Sequence, residues 1–424
     1  MQGQRRIHYS GVLLGVLALL FLQTIAFASD QGYYVYVCAE SEDEVAIIHF
    51  DGQKAETIKR IKVGAWPLEI EGPHGITVSP DGKYWFLTMA HGIPFGKLYK
   101  YSTADNTLLG QVELGLFPAT MQMSAATGLL YVVNFNLHGE HEPSTVSVVE
   151  PESMEEIERI ETGIMPHGSR ISPDGLRHYS VAMMSDELYE IDTATLEITR
   201  RLHVGKNGMM KKMGSDHKKM KGMDHEKMKG MDHGKMKKGG MDHKPSKHAS
   251  GDHTSMKKVK VQKKKKMKMG GMDHGKMKMA MPTWAFPHPS KPFVYVANNG
   301  VAEVVEVDTK KWEISRRFTT AKGPYNIEVS PDGKIMVVTY KSAASTGIWD
   351  LEKGVELAKI DNSRKVSHGV VISPDNRYAF VSVEGIGAQP GAVDVIDLKT
   401  KKIVAIAEVG KQAGGIAFWK MAKK

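Results

Sequence analysis

The chain has 424 residues, a single cysteine and a formal net charge of +9. One cysteine excludes an internal disulfide, and the strand-like context of Cys38 predicts a small buried hydrophobic residue. The positive charge is concentrated in residues 206–281, which hold 23 Lys against six Asp and one Glu. Once the +16 of that segment and the +2 of Arg5 and Arg6 are subtracted from +9, the rest carries −9. An acidic body therefore carries one very basic segment.

The N-terminus has the organisation of an export signal. Arg5 and Arg6 precede an apolar run over residues 12–27, and Ala26-Phe27-Ala28 provides small residues for cleavage. This order predicts a secretory signal peptide over residues 1–28. The run is short for a membrane-spanning helix, so cleavage is favoured over a retained anchor. We expect a mature protein that begins near Ser29, lies in the periplasm or is secreted, and keeps no transmembrane segment.

A tight-turn motif recurs along the chain. In Ser-Pro-Asp-Gly, Pro fixes φ, Asp bonds to nearby backbone and Gly accepts a positive φ. Copies begin at Ser79, Ser172, Ser330 and, with Asn replacing Gly, Ser373. An apolar stretch precedes each turn and three further strand-like stretches follow it. Four strands per unit of roughly 40–45 residues are the signature of a β-propeller blade.

The repeat units number seven. Residues 33–63 supply three strands with no inner strand before them, and residues 415–418 supply one spare strand. Joining the two closes a ring without open sheet edges. The predicted fold class is all-β, a seven-bladed β-propeller (29–205 and 282–424) with a long disordered loop insert (206–281). The other six units begin near Pro73, Pro118, Pro166, Pro282, Pro324 and Ser367.

Three stretches carry a family resemblance. They are Ile-Ser-Pro-Asp-Asn-Arg-Tyr-Ala-Phe-Val at 372–381, Val-Tyr-Val-Ala-Asn-Asn at 294–299, and Val-Asp-Val-Ile-Asp at 393–397 with Lys-Lys-Ile-Val at 401–404. With these the chain resembles the YVTN family of β-propeller repeats. The resemblance implies a propeller that is often extracytoplasmic, and it implies no single activity.

The basic segment is also rich in metal donors. Its 76 residues include 16 Met and seven His, and the unit Met-Asp-His-x-Lys-Met recurs at 223, 231 and 272. With almost no apolar residues to bury, the segment is predicted to be disordered. Thioether sulfur suits Cu(I), imidazole suits Cu(I) and Cu(II), and Asp can orient an imidazole. The candidate ligands are His217, Met220, Met223, His225, Met228, Met231, His233, Met236, Met241, His243, His253, Met256, Met272, His274 and Met277.

These units resemble the Met-Asp-His-rich stretches of bacterial periplasmic copper-resistance proteins, which implies copper as the ligand. Two other interpretations stay open. The segment could be an inert low-complexity spacer, or a polybasic arm for anionic envelope polymers, lipid head groups or extracellular nucleic acid. Lysine alone would explain the polybasic arm, but it would not explain Met-Asp-His.

Three predicted inner strands begin with histidine, namely His74, His167 and His368. The fold should place them around one axis, where imidazoles can hold copper. This arrangement resembles the hub of nitrous oxide reductase propellers. The alternative is that each histidine caps a turn through a hydrogen bond. Connections that share this face carry His91, His138 and His141.

The sequence favours a binding protein over an enzyme. It lacks Gly-x-Ser-x-Gly, His-Glu-x-x-His, a phosphate loop and a haem-attachment motif. Two alternatives remain, a lactonase-like or lyase-like propeller enzyme and a scaffold that binds another envelope protein on a propeller face. We expect metal ions as the main partner, no specific nucleic acid, and a monomer.

Overall fold

The computed structural model describes residues 31–66, 68–92, 95–206 and 278–423. The predicted signal peptide and residues 207–277 of the predicted insert lie outside the described residues. Within the described ranges the chain forms seven four-stranded sheets. The predicted seven-bladed β-propeller is therefore confirmed.

The blades are numbered in chain order, and their strands are given from the channel outwards. Blade 1 contains β28 (Ala413–Lys423), β1 (Gln31–Ala39), β2 (Glu44–Phe50) and β3 (Ala55–Lys62). Blade 2 contains β4 (Pro73–Val78), β5 (Tyr84–Met89), β6 (Lys97–Ser102) and β7 (Leu108–Glu113). Blade 3 contains β8 (Pro118–Met123), β9 (Leu130–Asn134), β10 (Pro143–Glu150) and β11 (Glu155–Ile164).

The remaining four blades follow the same order. Blade 4 contains β12 (Pro166–Ile171), β13 (Arg177–Ala182), β14 (Glu187–Asp192) and β15 (Ile198–His203). Blade 5 contains β16 (Pro282–Pro287), β17 (Phe293–Asn298), β18 (Glu303–Asp308) and β19 (Glu313–Thr319). Blade 6 contains β20 (Pro324–Val329), β21 (Ile335–Tyr340), β22 (Ser345–Asp350) and β23 (Val355–Asp361). Blade 7 contains β24 (Val366–Ile372), β25 (Tyr378–Glu384), β26 (Ala392–Asp397) and β27 (Lys402–Glu408).

The Ser-Pro-Asp-Gly motif forms the turn between the first and second strands of a blade. In blade 2 the Ser79 hydroxyl donates to Asp81 at 2.6 Å and accepts from the amide of Tyr84 at 3.0 Å. The amide of Gly82, at φ +72°, donates to the Ser79 carbonyl at 2.8 Å. The motif satisfies its own polar groups, which explains why it recurs at the same place in other blades.

Blade 1 joins the two ends of the described chain. Strand β28 pairs antiparallel with β1, with Tyr36 opposite Ala417. Tyr36 stacks on Trp85 of blade 2 with ring centroids 5.2 Å apart, and Trp85 stacks on Tyr101 at 4.0 Å. Cys38 of β1 is fully buried in the same apolar cluster, as predicted. Each such side chain contributes roughly 1.5–3 kcal/mol through burial, so blade-to-blade packing stabilises the ring closure.

The inner strands lie close together around the channel. A Cβ on Gly75 of β4 would lie 1.9 Å from the Ala119 carbonyl oxygen of β8. Only glycine permits this approach between neighbouring inner strands.

Two parts of the chain form the propeller, and they are separated after Val204 and before Ala280. Asp186 fixes both flanks, because its carbonyl accepts from the amide of Val204 at 2.9 Å. Its carboxylate accepts from the amides of Ala280 at 3.0 Å and Met281 at 2.8 Å. Helices with the length and apolarity of a membrane span are absent from the described part of the chain.

Candidate functional site

The mouth of the channel brings the three predicted histidines together. The ring of His74 lies 6.4 Å from that of His167 and 5.9 Å from that of His368, measured between centroids. The ring of Tyr325 lies 4.8 Å from that of His368. His74, His167 and Tyr325 are the second residues of β4, β12 and β20. His368 is the third residue of β24. The blade repeat therefore places one ionisable cluster, here called the hub, on the axis.

Hydrogen bonds hold His167 in one orientation. Its Nδ1 lies 2.9 Å from the Thr283 carbonyl and can only donate to it. Its Nε2 then accepts the hydroxyl proton of Tyr325 at 2.9 Å. Burial lowers the pKa of His167 to about 3, with a smaller contribution from His74. The ring is therefore neutral, with protein partners on both nitrogens.

Glu40 links two histidines of blade 2 to blade 1. Its carboxylate lies 3.0 Å from His74 Nδ1 and 2.7 Å from His91 Nε2, and the residue is only 4% exposed. Burial opposes ionisation, but the charge and hydrogen bonds of His74 and His91 hold the pKa of Glu40 well below its usual range. The hydrogen bond to Glu40 raises the pKa of His91 against the effect of burial.

A second carboxylate in the hub is paired with a lysine. Lys341 Nζ lies 3.3 Å from Glu384 and 4.5 Å from the ring centroid of Tyr325. The Glu384 carboxylate lies 3.9 Å from His368 Nε2. Burial, followed by the charge of Lys341, lowers the pKa of His368. The buried Nδ1 of His368 has no hydrogen-bond partner among the described residues.

The two other predicted histidines of this face differ from each other. The ring of His138 lies 5.7 Å from that of His91, and both pack on Phe117. His141 is exposed to solvent. His91 and His138 therefore extend the hub outwards.

Within the described ranges, no group of three or more His, Cys, Asp or Glu side chains is placed to hold a metal ion. Metal binding by His74, His167 and His368 stays a prediction, and it requires His167 to leave a present partner. The candidate ligands of the insert, from His217 to Met277, lie outside the described residues.

The sequence did not predict four hub residues, namely Tyr325 and the charged residues Glu40, Lys341 and Glu384. Lys341 directly follows β21 and Glu40 directly follows β1, while Glu384 ends β25. All three lie where the second strand of a blade reaches the channel mouth. An alignment of the repeats at that position would have revealed a charged residue in three blades.

The channel next to the hub contains two ionisable residues, Arg170 and Glu328. A cavity of about 30 Å³ is lined by His74, His368, Trp284 and Arg170 among others. The Arg170 guanidinium lies 4.5 Å from the ring centroid of Trp284. Burial raises the pKa of Glu328 to about 8, against the opposing charge of Arg170. The cavity has room for about one water molecule.

The fold and the hub define a seven-bladed β-propeller with an ionisable cluster at its channel mouth. No protein-family model and no curated protein matches the sequence, so the YVTN resemblance stays a prediction. Among solved structures, the chain is similar to hydrazine synthase of Kuenenia stuttgartiensis, with 17% identity, a TM-score of 0.52 and 80% of each chain covered. It is also similar to a functionally unknown protein of Desulfotomaculum acetoxidans, with 13% identity, a TM-score of 0.60, and 91% of this chain and 98% of the other covered. At these identities the likeness shows the fold alone.

Proposed function

We propose that this protein is an exported β-propeller of the YVTN type that binds soft metal ions, copper above all, for sequestration, delivery or tolerance. The observation that carries the proposal is the recurrence of Met-Asp-His-x-Lys-Met in residues 206–281. Each unit offers two thioethers and one imidazole, and two neighbouring units offer enough donors to complete a Cu(I) site.

The propeller supports this role as a carrier of the metal-binding segment. Asp186 accepts hydrogen bonds from the amides of Val204 and Ala280, which lie at the two junctions between the propeller and the segment. The propeller residues that flank the segment are therefore fixed by Asp186. The hub is a secondary metal site in this proposal, because His167 already has partners on both nitrogens.

The test is a copper titration of the mature protein, with Cu(I) added anaerobically against a chromogenic chelator and Cu(II) followed by calorimetry. One variant replaces every Met and His of residues 207–277 with Gln, and a matched variant replaces every Lys of the same range with Gln. We expect the first variant to lose nearly all bound Cu(I). The second should keep the stoichiometry and bind more tightly, because like charge near the bound cation is removed.

The matched variant separates copper binding from the polybasic alternative. A polyanion-binding arm would lose its affinity for heparin when Lys is replaced and would keep it when Met and His are replaced. If both variants retain the copper stoichiometry of the native protein, the segment is not the metal site and the proposal is wrong.

A second candidate function is acid–base catalysis at the hub. Glu40 bonds both His74 and His91, and a histidine oriented by a carboxylate is a common general base. Hydrolysis of a panel of aliphatic lactones would test this candidate. The activity should be lost in His74→Gln and kept in His49→Gln, because His49 lies outside the hub. A native protein that hydrolyses none of the lactones would exclude this activity for the panel.

A further inference from the structure

Blade 2 carries a cavity that is separate from the channel. It has a volume of about 430 Å³ and lies between the segment that joins β3 to β4 and the segment that joins β5 to β6. The volume falls within the range of small-molecule binding sites. His91 is part of the lining, so the cavity adjoins the hub without sharing the channel.

The lining of the cavity includes large apolar side chains that remain exposed. Trp66 is 61% exposed, Ile70 58% and Phe95 51%, and the neighbouring Leu68 is 98% exposed. Single exposed apolar residues are normal on a protein surface, but a contiguous group of this kind marks a binding surface.

The lining of the cavity is also acidic. It contains Glu69, Glu71 and Glu113 and a single lysine, Lys97. Lys97 lies directly opposite Glu113 in the pairing of β6 with β7. Salt bridges to Glu69, Lys97 or Glu113 are absent within the described residues, so these charges are available to a ligand. The lining therefore combines an aromatic surface with an excess of carboxylates.

The inner wall of the cavity is connected to the hub. His91 bonds Glu40 through Nε2 at 2.7 Å, and Glu40 in turn lies 3.0 Å from His74. A ligand in the cavity would contact His91. The hydrogen bonds that join His91 to Glu40 and Glu40 to His74 would stay intact. Binding therefore needs no rearrangement of the hub.

We propose that this cavity binds an organic cation, specifically an amine that carries an aromatic or apolar group. The ammonium group pairs with Glu69 and Glu113 through charge-assisted hydrogen bonds. The apolar group packs on Trp66 and Phe95, and the indole face adds a cation–π attraction. The inference rests on the cavity alone and is independent of copper binding.

The test uses phenethylamine as the probe, with 3-phenylpropionate as the matched anion and 2-phenylethanol as the matched neutral compound. Binding is followed by calorimetry on the mature protein and by the change in tryptophan emission. We expect saturable binding of phenethylamine at one site, roughly tenfold or more tighter than either matched compound, because several carboxylates act together. Trp66→Phe should remove the emission change, since the other tryptophans lie outside the cavity.

Variants assign the two halves of the site. Glu69→Gln and Glu113→Gln should each weaken phenethylamine binding by roughly threefold, and the double variant should weaken it further. Trp66→Ala should abolish measurable binding, while Leu109→Ala, an exposed apolar residue of β7, should leave it unchanged. Equal binding of 3-phenylpropionate, unchanged binding by Trp66→Ala, or no saturable binding at all would each overturn the proposal.

Discussion

Tyr325 of blade 6 donates its hydroxyl proton to His167 of blade 4 at 2.9 Å, across the strand of the blade between them. The intervening strand contributes the Thr283 carbonyl to the other nitrogen of His167. Three inner strands are thus tied together at the channel mouth by side chains as well as by packing. A buried histidine whose two nitrogens are both satisfied stabilises the ring rather than leaving a polar group unpaired.

Replacing Tyr325 with Phe should lower the free energy of unfolding by about 1 kcal/mol, because His167 Nε2 loses its partner. Urea denaturation followed by circular dichroism measures this change. In a His167→Phe background the same Tyr325→Phe replacement should cost much less. Equal losses in the two backgrounds would show that the hydrogen bond contributes nothing and that only the packing of Tyr325 matters.

The carboxylate of Glu40 should stabilise the protein within a limited pH range. The pKa of Glu40 is lowered, so its contribution is present above the unfolded value of about 4.3 and is lost as the pH falls below it. The pKa of His91 is raised, so the contribution of its pairing is present below about 6.5 and is lost as the pH rises through the folded value. Both contributions are present together between about pH 4.3 and 6.5.

Glu40→Gln should therefore lower the free energy of unfolding by about 1–3 kcal/mol within that range. The difference between the native protein and the variant should shrink towards pH 3 and above neutrality. Chemical denaturation at a series of pH values measures it, with Glu56→Gln on the exposed strand β3 as the control. A difference that does not vary with pH would show that Glu40 acts through packing and not through its charge.

His178 should make the protein labile to acid. The residue is fully buried, stacks on Tyr131 with ring centroids 5.1 Å apart, and has no hydrogen-bond partner among the described residues. Burial, with a smaller contribution from Arg170, lowers the pKa of His178 to about 3. As the pH falls below the unfolded value of about 6.5, the unfolded chain takes up a proton at this histidine and the folded protein does not. The free energy of unfolding is therefore fully retained above about pH 6.5 and decreases as the pH falls towards the folded value.

His178→Phe keeps the stacking on Tyr131 and removes the titrating group. Between pH 7.5 and 5 the variant should lose about 2 kcal/mol less of its unfolding free energy than the native protein does. Thermal and urea unfolding over this range measure the difference. His203→Gln on the outer strand β15 is the control and should follow the native curve. If the two curves for His178→Phe and the native protein are parallel, His178 does not govern the acid response.

Blade boundaries were predictable because the turn chemistry repeats. The sequence motif at Ser79 and its copies also explains their hydrogen bonds in the structure, since Ser, Asp and Gly satisfy one another locally. The proximity of His74, His167 and His368 followed from their equivalent positions in the repeat. These features depend on short-range patterns, which a single sequence contains.

The partners of those histidines were not predictable in the same way. Glu40 lies 34 residues from His74 and 51 from His91 along the chain. Tyr325 lies 158 residues from His167. Such contacts depend on the curvature of the ring and on side-chain orientation, which repeat spacing does not specify. The sequence predicted the positions of His74, His167 and His368, but neither the other hub residues nor the charge pairing among them.

The N-terminus of the mature protein should lie near Ser29. The charged start, the apolar run and Ala26-Phe27-Ala28 predict cleavage after residue 28. Mass spectrometry of envelope fractions should detect the N-terminal peptide of the cleaved chain, and replacing Ala28 with a bulky residue should slow its appearance. A full-length product in the cytosol would contradict the predicted export.

Removing the Met/His/Lys-rich segment should leave the propeller folded. A linker of about eight Gly and Ser residues would replace residues 206–279. It keeps Ala280 and Met281, whose amides donate hydrogen bonds to the Asp186 carboxylate. A shorter connection between the same two ends costs less entropy to close, so the unfolding free energy should stay constant or rise by up to about 2 kcal/mol. Urea denaturation should show one cooperative transition, and copper stoichiometry should fall sharply. In the full chain Asp186→Ala should cost about 1–2 kcal/mol, because two amides lose their acceptor. Loss of cooperative unfolding in the shortened chain would instead place the segment within the core, since ring closure by β28 and β1 would then not suffice.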